Sequence, residues 1–253
     1  HRAVCGDMTS CFDFEHPNDA AFPVMPDTSG YATIEAQQKT LPAPMPPATS
    51  ELPRQERGVR LSRALPYELL VGAKVSPAQG IVLTFRNTGR AGAVFHVYDK
   101  LHLDRIPRRY TVEAGKSLND SWAAMHDGGA YDLWIYGPNG FVRQFKGQVD
   151  IAHGEAEVTA GYETARGLLL RFSNPGDHLR VLQVMPNAYL REGPMRVHLR
   201  PRSHSERLWT LERSGHWYDF SITDDSAPQF LRRVAGRMET GRHGISDPAF
   251  GIA

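Results

Sequence analysis

Asp13, Glu15, His16 and Asp19 form the densest group of acids and imidazole in the sequence, clustered around Pro17-Asn18. Such donors close together are the raw material of a metal site, but the same composition is commoner in a solvated turn, and the turn is the expectation here. Asp224-Asp225 suggests a calcium loop. Two carboxylates fall short of the 6–8 oxygen ligands calcium prefers, and the matching turn earlier in the chain carries Gly137-Pro138 instead. Gly115-Lys116-Ser117 resembles the end of a phosphate-binding loop, yet Tyr110 stands where that loop needs its first glycine. The segment also lies between expected strands rather than before a helix. Neither a Gly-x-Ser-x-Gly elbow nor a His-Glu-x-x-His zinc pattern occurs. The eleven histidines, among them His96, His102, His198 and His204, are scattered singly. Cys5 and Cys11 lack CxxC spacing, and a disulfide between them would close too short a loop to stabilise much. No catalytic, cofactor-binding or metal-ligating residue is therefore assigned.

The elements that would position any such group follow from the rest of the chain. Its 253 residues suffice for two ordinary domains. The 29 Lys and Arg nearly cancel the 28 Asp and Glu, leaving +1, so charge gives no reason to expect nucleic acid as a partner. No apolar run approaches the roughly 18 residues a spanning helix needs. The chain starts at His1 with no basic-then-apolar export signal, which says nothing about where the protein resides.

Three zones separate by composition: 1–67, 68–157 and 158–253. The first has no repeat. A short helix is expected over Tyr31 to Lys39, with Ser29 as its cap. Pro42, Pro44, Pro46, Pro47, Pro53 and Pro66 then predict an extended connector, because proline fixes φ and removes a donor. From about residue 68, short apolar segments alternate with polar ones and break at Gly, Pro and Asn, the pattern of an all-β chain.

The second and third zones repeat each other. Gly80 to Gly89 aligns with Gly167 to Gly176 at an offset of 87, which also pairs Val94 with Val181, Trp122 with Trp209 and Tyr131 with Tyr218. After a two-residue insertion the offset becomes 89, pairing Phe141 with Phe230, Arg143 with Arg232 and Gly147 with Gly236. The repeat locates the core. Tyr131, Leu133 and Ile135 match Tyr218, Phe220 and Ile222, whereas Trp134 and Tyr136 between them become Ser221 and Thr223. Alternate strand residues face opposite sides, so the matched set points inward. Ile81, Leu83 and Phe85 likewise match Leu168, Leu170 and Phe172. Burying each such side chain contributes roughly 1.5–3 kcal/mol. Gly137 to Gly140 predicts a turn, Asn87 and Asn174 each pin a neighbouring turn, and Trp122 and Trp209 are expected as core anchors. Each module then holds about seven strands, an immunoglobulin-like β-sandwich in size and pattern.

Val4 to Phe14 resembles the closing segment of the catalytic domain in phosphocholine-specific bacterial phospholipases C, of the haemolytic and non-haemolytic types. Leu41-Pro42-Ala43-Pro44 and Ser62 to Leu69 resemble that family's linker. Tyr218 to Ser221, Phe230 to Arg233, Glu239 to Arg242 and Ile245 to Ala249 resemble its final module. The resemblance implies a secreted or periplasmic enzyme that splits phosphatidylcholine or sphingomyelin into phosphocholine and diacylglycerol or ceramide. It also implies that the nucleophile, and any metal ion, belong to an N-terminal domain, so none of those residues maps onto this sequence. The expected partners are that catalytic domain and a phospholipid surface, with Trp134 and Tyr136 as the residues to touch the lipid. The competing reading is a stand-alone tandem carbohydrate-binding or adhesion module. A small metal-dependent hydrolase would require the scattered histidines to converge.

Overall fold

The computed structural model describes residues 12, 14–17, 24–49, 57–76, 80–149, 155–163 and 167–249. Cys5, Cys11, Asp13 and Asp19 lie outside them, and Glu15 and His16 are exposed.

Among the described residues one short α-helix, α1 (Tyr31–Gln38), precedes the strands, and it has no buried side chain. The helix lies where expected, but Ser29 does not cap it. Both the amide and the hydroxyl of Ser29 donate to the Asp27 carboxylate, so the capping position falls to Gly30.

Sixteen antiparallel strands are defined among the described residues. The first unit comprises β2 (Leu69–Ser76), β3 (Gly80–Asn87), β4 (Ala93–Asp99), β5 (Arg108–Val112), β6 (Ser117–Trp122), β7 (Ala130–Tyr136) and β8 (Val142–Gln148). The second comprises β9 (Glu157–Glu163), β10 (Gly167–Asn174), β11 (Arg180–Ala188), β12 (Met195–Leu199), β13 (Ser203–Trp209), β14 (Trp217–Asp224) and β15 (Ala227–Arg237). Three strands of each unit form a small sheet, β2-β3-β6 and β9-β10-β13. The other four of each unit join into one eight-stranded sheet, β12-β11-β14-β15-β8-β7-β4-β5.

Each unit is a sandwich because its two layers share one core. Ile81, Leu83 and Phe85 of β3 meet Phe95, Val97, Leu133 and Ile135 of the large sheet. Leu168, Leu170 and Phe172 meet Leu182, Val184, Phe220 and Ile222 in the same way. The alternation read from the sequence is thus the alternation of burial. Trp122 is buried, stacked under Arg108 at 4.0 Å and donating to the Tyr110 hydroxyl at 3.2 Å. Trp209 is only half-buried, packed 4.9 Å from Phe220.

The turn devices behave as the sequence predicts. Asn87 donates to the carbonyls of Ala91 and Val112 and accepts from the Gly89 amide. Asn174 donates to His178, Leu199 and Arg200 and accepts from the Gly176 amide. Both side-chain amides are buried, so their own polar atoms need these turn partners.

In the described part of the proline-rich connector, residues 61–66 are tied down. β1 (Leu61–Ser62) pairs with β16 (Gly244–Ile245), and the Pro66 carbonyl accepts from the Arg90 amide at 2.8 Å. The Leu65 amide donates to Glu239. Residues 57–67 therefore run from the second unit's tail into the first unit's core, a contact that proline content alone does not reveal.

Candidate functional site

The strand β4 alternates Phe95 and Val97 inward with His96 and Tyr98 outward, and β7 alternates Leu133 and Ile135 inward with Trp134 and Tyr136 outward. Their register sets His96 opposite Tyr136 and Tyr98 opposite Trp134, so four rings share the outer face of the large sheet. The Tyr98 and Tyr136 ring planes stand at 83° with centroids 5.8 Å apart, and Trp134 and Tyr136 at 69° and 6.2 Å. These are walls set across one another, not a flat stack. Together with Lys100 and Leu103 they line an open concavity of about 430 Å³. The Lys100 ammonium sits 4.1 Å above the Trp134 ring. The Trp134 indole N–H is buried and has no hydrogen-bond partner among the described residues.

Beside the concavity, the loop joining β4 to β5 exposes Leu101, Leu103 and Ile106, the last 87% accessible. A hydrogen bond from His102 Nε2 to Asp127 at 2.8 Å braces this loop. At the opposite edge of the aromatic patch, burial pushes the Tyr136 hydroxyl's pKa up while the nearby Arg233 guanidinium pulls it down. Burial, and then the charge of Arg109, hold the pKa of His96 below its ordinary value, so that imidazole is neutral at pH 7.

The sequence singles out Trp134 and Tyr136 for lipid contact, and the structure sets them in one concavity with Tyr98, Lys100 and Leu103, which the sequence does not single out. A usable signal existed: Tyr98 falls opposite Met185 in the repeat, the same loss of an outer ring that singles out Trp134. Lys100 and Leu103 had none, because a loop has no period.

The groups weighed for chemistry do not converge. Asp224 is buried, paired with Arg180 at 2.7 Å and accepting from the Ser226 amide and hydroxyl. Asp225 is engaged by Gln183 at 2.5 Å and faces Arg196 at 3.9 Å. These carboxylates close a turn. His198 and His204 are exposed on β12 and β13, whereas His96 lies on β4 and His102 in the β4–β5 loop. Gly115 turns the chain directly into β6, not into a helix. Among the described residues no three His, Cys, Asp or Glu lie where they could hold a metal ion.

Two polar clusters are buried where β8 meets β15. Arg143 donates to the Val142 and Ala235 carbonyls and to the Tyr218 hydroxyl, which lies 2.7 Å from that of Tyr162. Arg232 donates to the Leu231 and Lys146 carbonyls, to the Tyr131 hydroxyl and to Glu155 at 3.0 Å. Each arginine thus reaches the tyrosine of the other unit. Gly147 and Gly236 leave room for those tyrosines. A Cβ on Gly147 would lie 2.6 Å from the Tyr131 hydroxyl and collide with Glu155, and one on Gly236 would lie 3.2 Å from the Tyr218 hydroxyl.

This pairing of two like units also appears in the comparisons with known proteins. The family described as "Bacterial phospholipase C, C-terminal domain" matches two successive segments, residues 61–148 and 156–237. The chain belongs to the bacterial phospholipase C family. It is 48% identical over 259 residues to the "Non-hemolytic phospholipase C" of Pseudomonas aeruginosa, covering 99% of this chain and 37% of that protein. It is 45% identical to the "Non-hemolytic phospholipase C" of Burkholderia pseudomallei, covering 100% and 36%. With the "Hemolytic phospholipase C" of Pseudomonas aeruginosa the identity is 36%, covering 100% and 39%. The chain therefore spans well under half the length of these relatives. As a C-terminal domain of this family it carries the aromatic concavity and the buried arginine pairs on an all-β framework, and among the described residues no helix is long and apolar enough to cross a membrane.

Proposed function

We propose that this chain is the non-catalytic C-terminal region of a phospholipase C that hydrolyses phosphatidylcholine or sphingomyelin to phosphocholine and diacylglycerol or ceramide. The observation that carries this is the extent of the match: nearly all of the chain aligns with about a third of each phospholipase, under a family described as their C-terminal domain. Phosphoryl transfer needs positioned charge around the reacting phosphate, and this role falls to the rest of the protein. The chain buttresses that catalytic domain and orients it at a lipid surface, and the whole protein acts outside the cytoplasm.

The division of labour along the chain follows. Residues 1–67 close the catalytic domain and link it to two copies of one sandwich, 68–157 and 158–253. The exposure of Phe14, Val24, Met25, Tyr31, Leu41 and Met45 supports this, since so many apolar side chains in one segment mark a surface that another body covers. On the outer face of the large sheet, Trp134 and Tyr136 touch the lipid.

Hydrolysis of a chromogenic phosphocholine ester tests the reading, with this chain alone and mixed with the separately expressed remainder of the full-length protein. No turnover alone, with turnover or thermal stability raised in the mixture, is expected. Turnover by the chain alone would overturn it.

A further inference from the structure

The aromatic concavity beside the β4–β5 loop has the composition of a cation site, not that of a general apolar groove. Three aromatic rings line it, and the lining includes no carboxylate. Its ring planes stand at 83° and 69° to one another, where a sugar-stacking platform would present coplanar faces. A cation already lies on one of these faces, the Lys100 ammonium 4.1 Å above Trp134. Ring quadrupoles attract a cation most when it is poorly hydrated, and a methylated ammonium suits a site that supplies rings and no carboxylate. An ordinary ammonium carries three N–H donors, for which the lining offers two tyrosine hydroxyls and no carboxylate.

We propose that Tyr98, Trp134 and Tyr136 form a binding site for the quaternary-ammonium end of a zwitterionic lipid headgroup, with Lys100 pairing with its phosphate. The Lys100 stem is flexible, so its ammonium leaves the indole for the phosphate as the trimethylammonium takes its place. A headgroup carrying both charges answers the objection that Lys100 would repel a lone cation. A lipid surface, rather than a free headgroup, is the source because Leu101, Leu103 and Ile106 stand exposed beside the site, 45%, 61% and 87% accessible. Apolar side chains on a loop tip bury their surface in the boundary between headgroups and acyl chains while the aromatic site takes the headgroup. The proposal rests on the lipid-contact reading given above and makes it specific to headgroup chemistry.

Co-sedimentation of the chain with two sets of vesicles tests it, phosphatidylcholine and phosphatidylethanolamine, which carry the same charges but differ in the ammonium methyl groups. We expect roughly tenfold stronger binding to phosphatidylcholine, and Trp134→Leu should lose that preference while its circular dichroism stays unchanged. Should this variant fail to fold, competition by soluble phosphocholine against the unmodified chain reads the same site: release from phosphatidylcholine vesicles supports it. Equal binding to both lipids overturns the headgroup site and leaves the lipid-surface reading standing. Binding to neither overturns both. Capture by immobilised glycans with no choice between the lipids overturns the site in favour of a carbohydrate module.

Discussion

Gln144 of β8 and Arg233 of β15 lie directly opposite each other, and they are the same position in the two repeats, 89 residues apart. A residue facing its own equivalent marks a two-fold axis. On either side Arg143 faces Val234 and Phe145 faces Arg232, each pair the mirror of the other under the same offset. The two sandwiches thus meet as the halves of an isologous dimer do, although one chain forms both. The symmetry extends to the arginine bonds: Arg143 to the Ala235 carbonyl and the Tyr218 hydroxyl, Arg232 to the Lys146 carbonyl and the Tyr131 hydroxyl. The halves part at the counter-charge. Glu155 accompanies Arg232, whereas Tyr162 takes the corresponding place beside Tyr218.

That difference should decide what each arginine is worth. Arg232→Met leaves a buried Glu155 without its cation, at a cost of about 3–5 kcal/mol. Arg143→Met strands only carbonyls and a hydroxyl, at about 1–3 kcal/mol. Urea unfolding of both variants gives the comparison. Adding Glu155→Gln to Arg232→Met should recover part of the loss, and a larger loss for Arg143→Met would contradict the assignment of charges.

Alkaline pH should loosen the fold. Burial, and then the hydrogen bond to Asp120, push the Tyr110 phenol from 10.0 up to about 12. Burial also raises Tyr131 and Tyr162. Phenols that ionise more readily in the unfolded chain stabilise the fold fully below pH 10 and lose that contribution as pH rises through their folded values. The urea midpoint should hold from about pH 8 to 10 and fall beyond it. Tyr110→Phe should flatten part of the fall, and a midpoint unchanged beyond pH 11 would count against it.

Joining two sheets at β8 and β15 turns two edges into interior strands. Their backbone amides should therefore exchange among the slowest in the molecule, comparable to those of β14 and slower than those of the edge strands β5 and β12. Hydrogen–deuterium exchange reads this directly. Fast exchange at Phe145 and Val234 would mean that the eight-stranded sheet opens in solution.

Asn87 and Asn174 offer a local test. Replacing either with Ala removes bonds to two or three backbone carbonyls beneath a turn. Each should lower stability by about 1–3 kcal/mol, measured by thermal unfolding. The double variant should show nearly the sum, because the two turns belong to different cores and share no partner.

Much of the fold is legible in the residues because strand alternation and repetition are local signals. Tyr131, Leu133 and Ile135 announce an inward face, and their copies at Tyr218, Phe220 and Ile222 remove the ambiguity of a single short run. All six are buried. Ser29 misled because a capping serine and one held by its own Asx turn look alike in sequence. Its acceptor, Asp27, settles the matter only when the backbone is known. The candidate site was half legible. Trp134 and Tyr136 stand out by diverging from their copies, while Lys100 and Leu103 come from a loop whose path no periodicity encodes.

By itself the sequence determined the all-β class, the two like units, their inward faces and the family, since each rests on residue order within reach of one strand or one repeat. Tertiary structure alone decided that β8 pairs with β15, that Arg143 and Arg232 cross between units, and that Tyr98, Trp134, Tyr136 and Lys100 enclose one concavity. Strand alternation says which side a residue faces, but not which strand lies beside it. That choice is made where edge amides and carbonyls of distant segments find partners, and where buried charges find theirs.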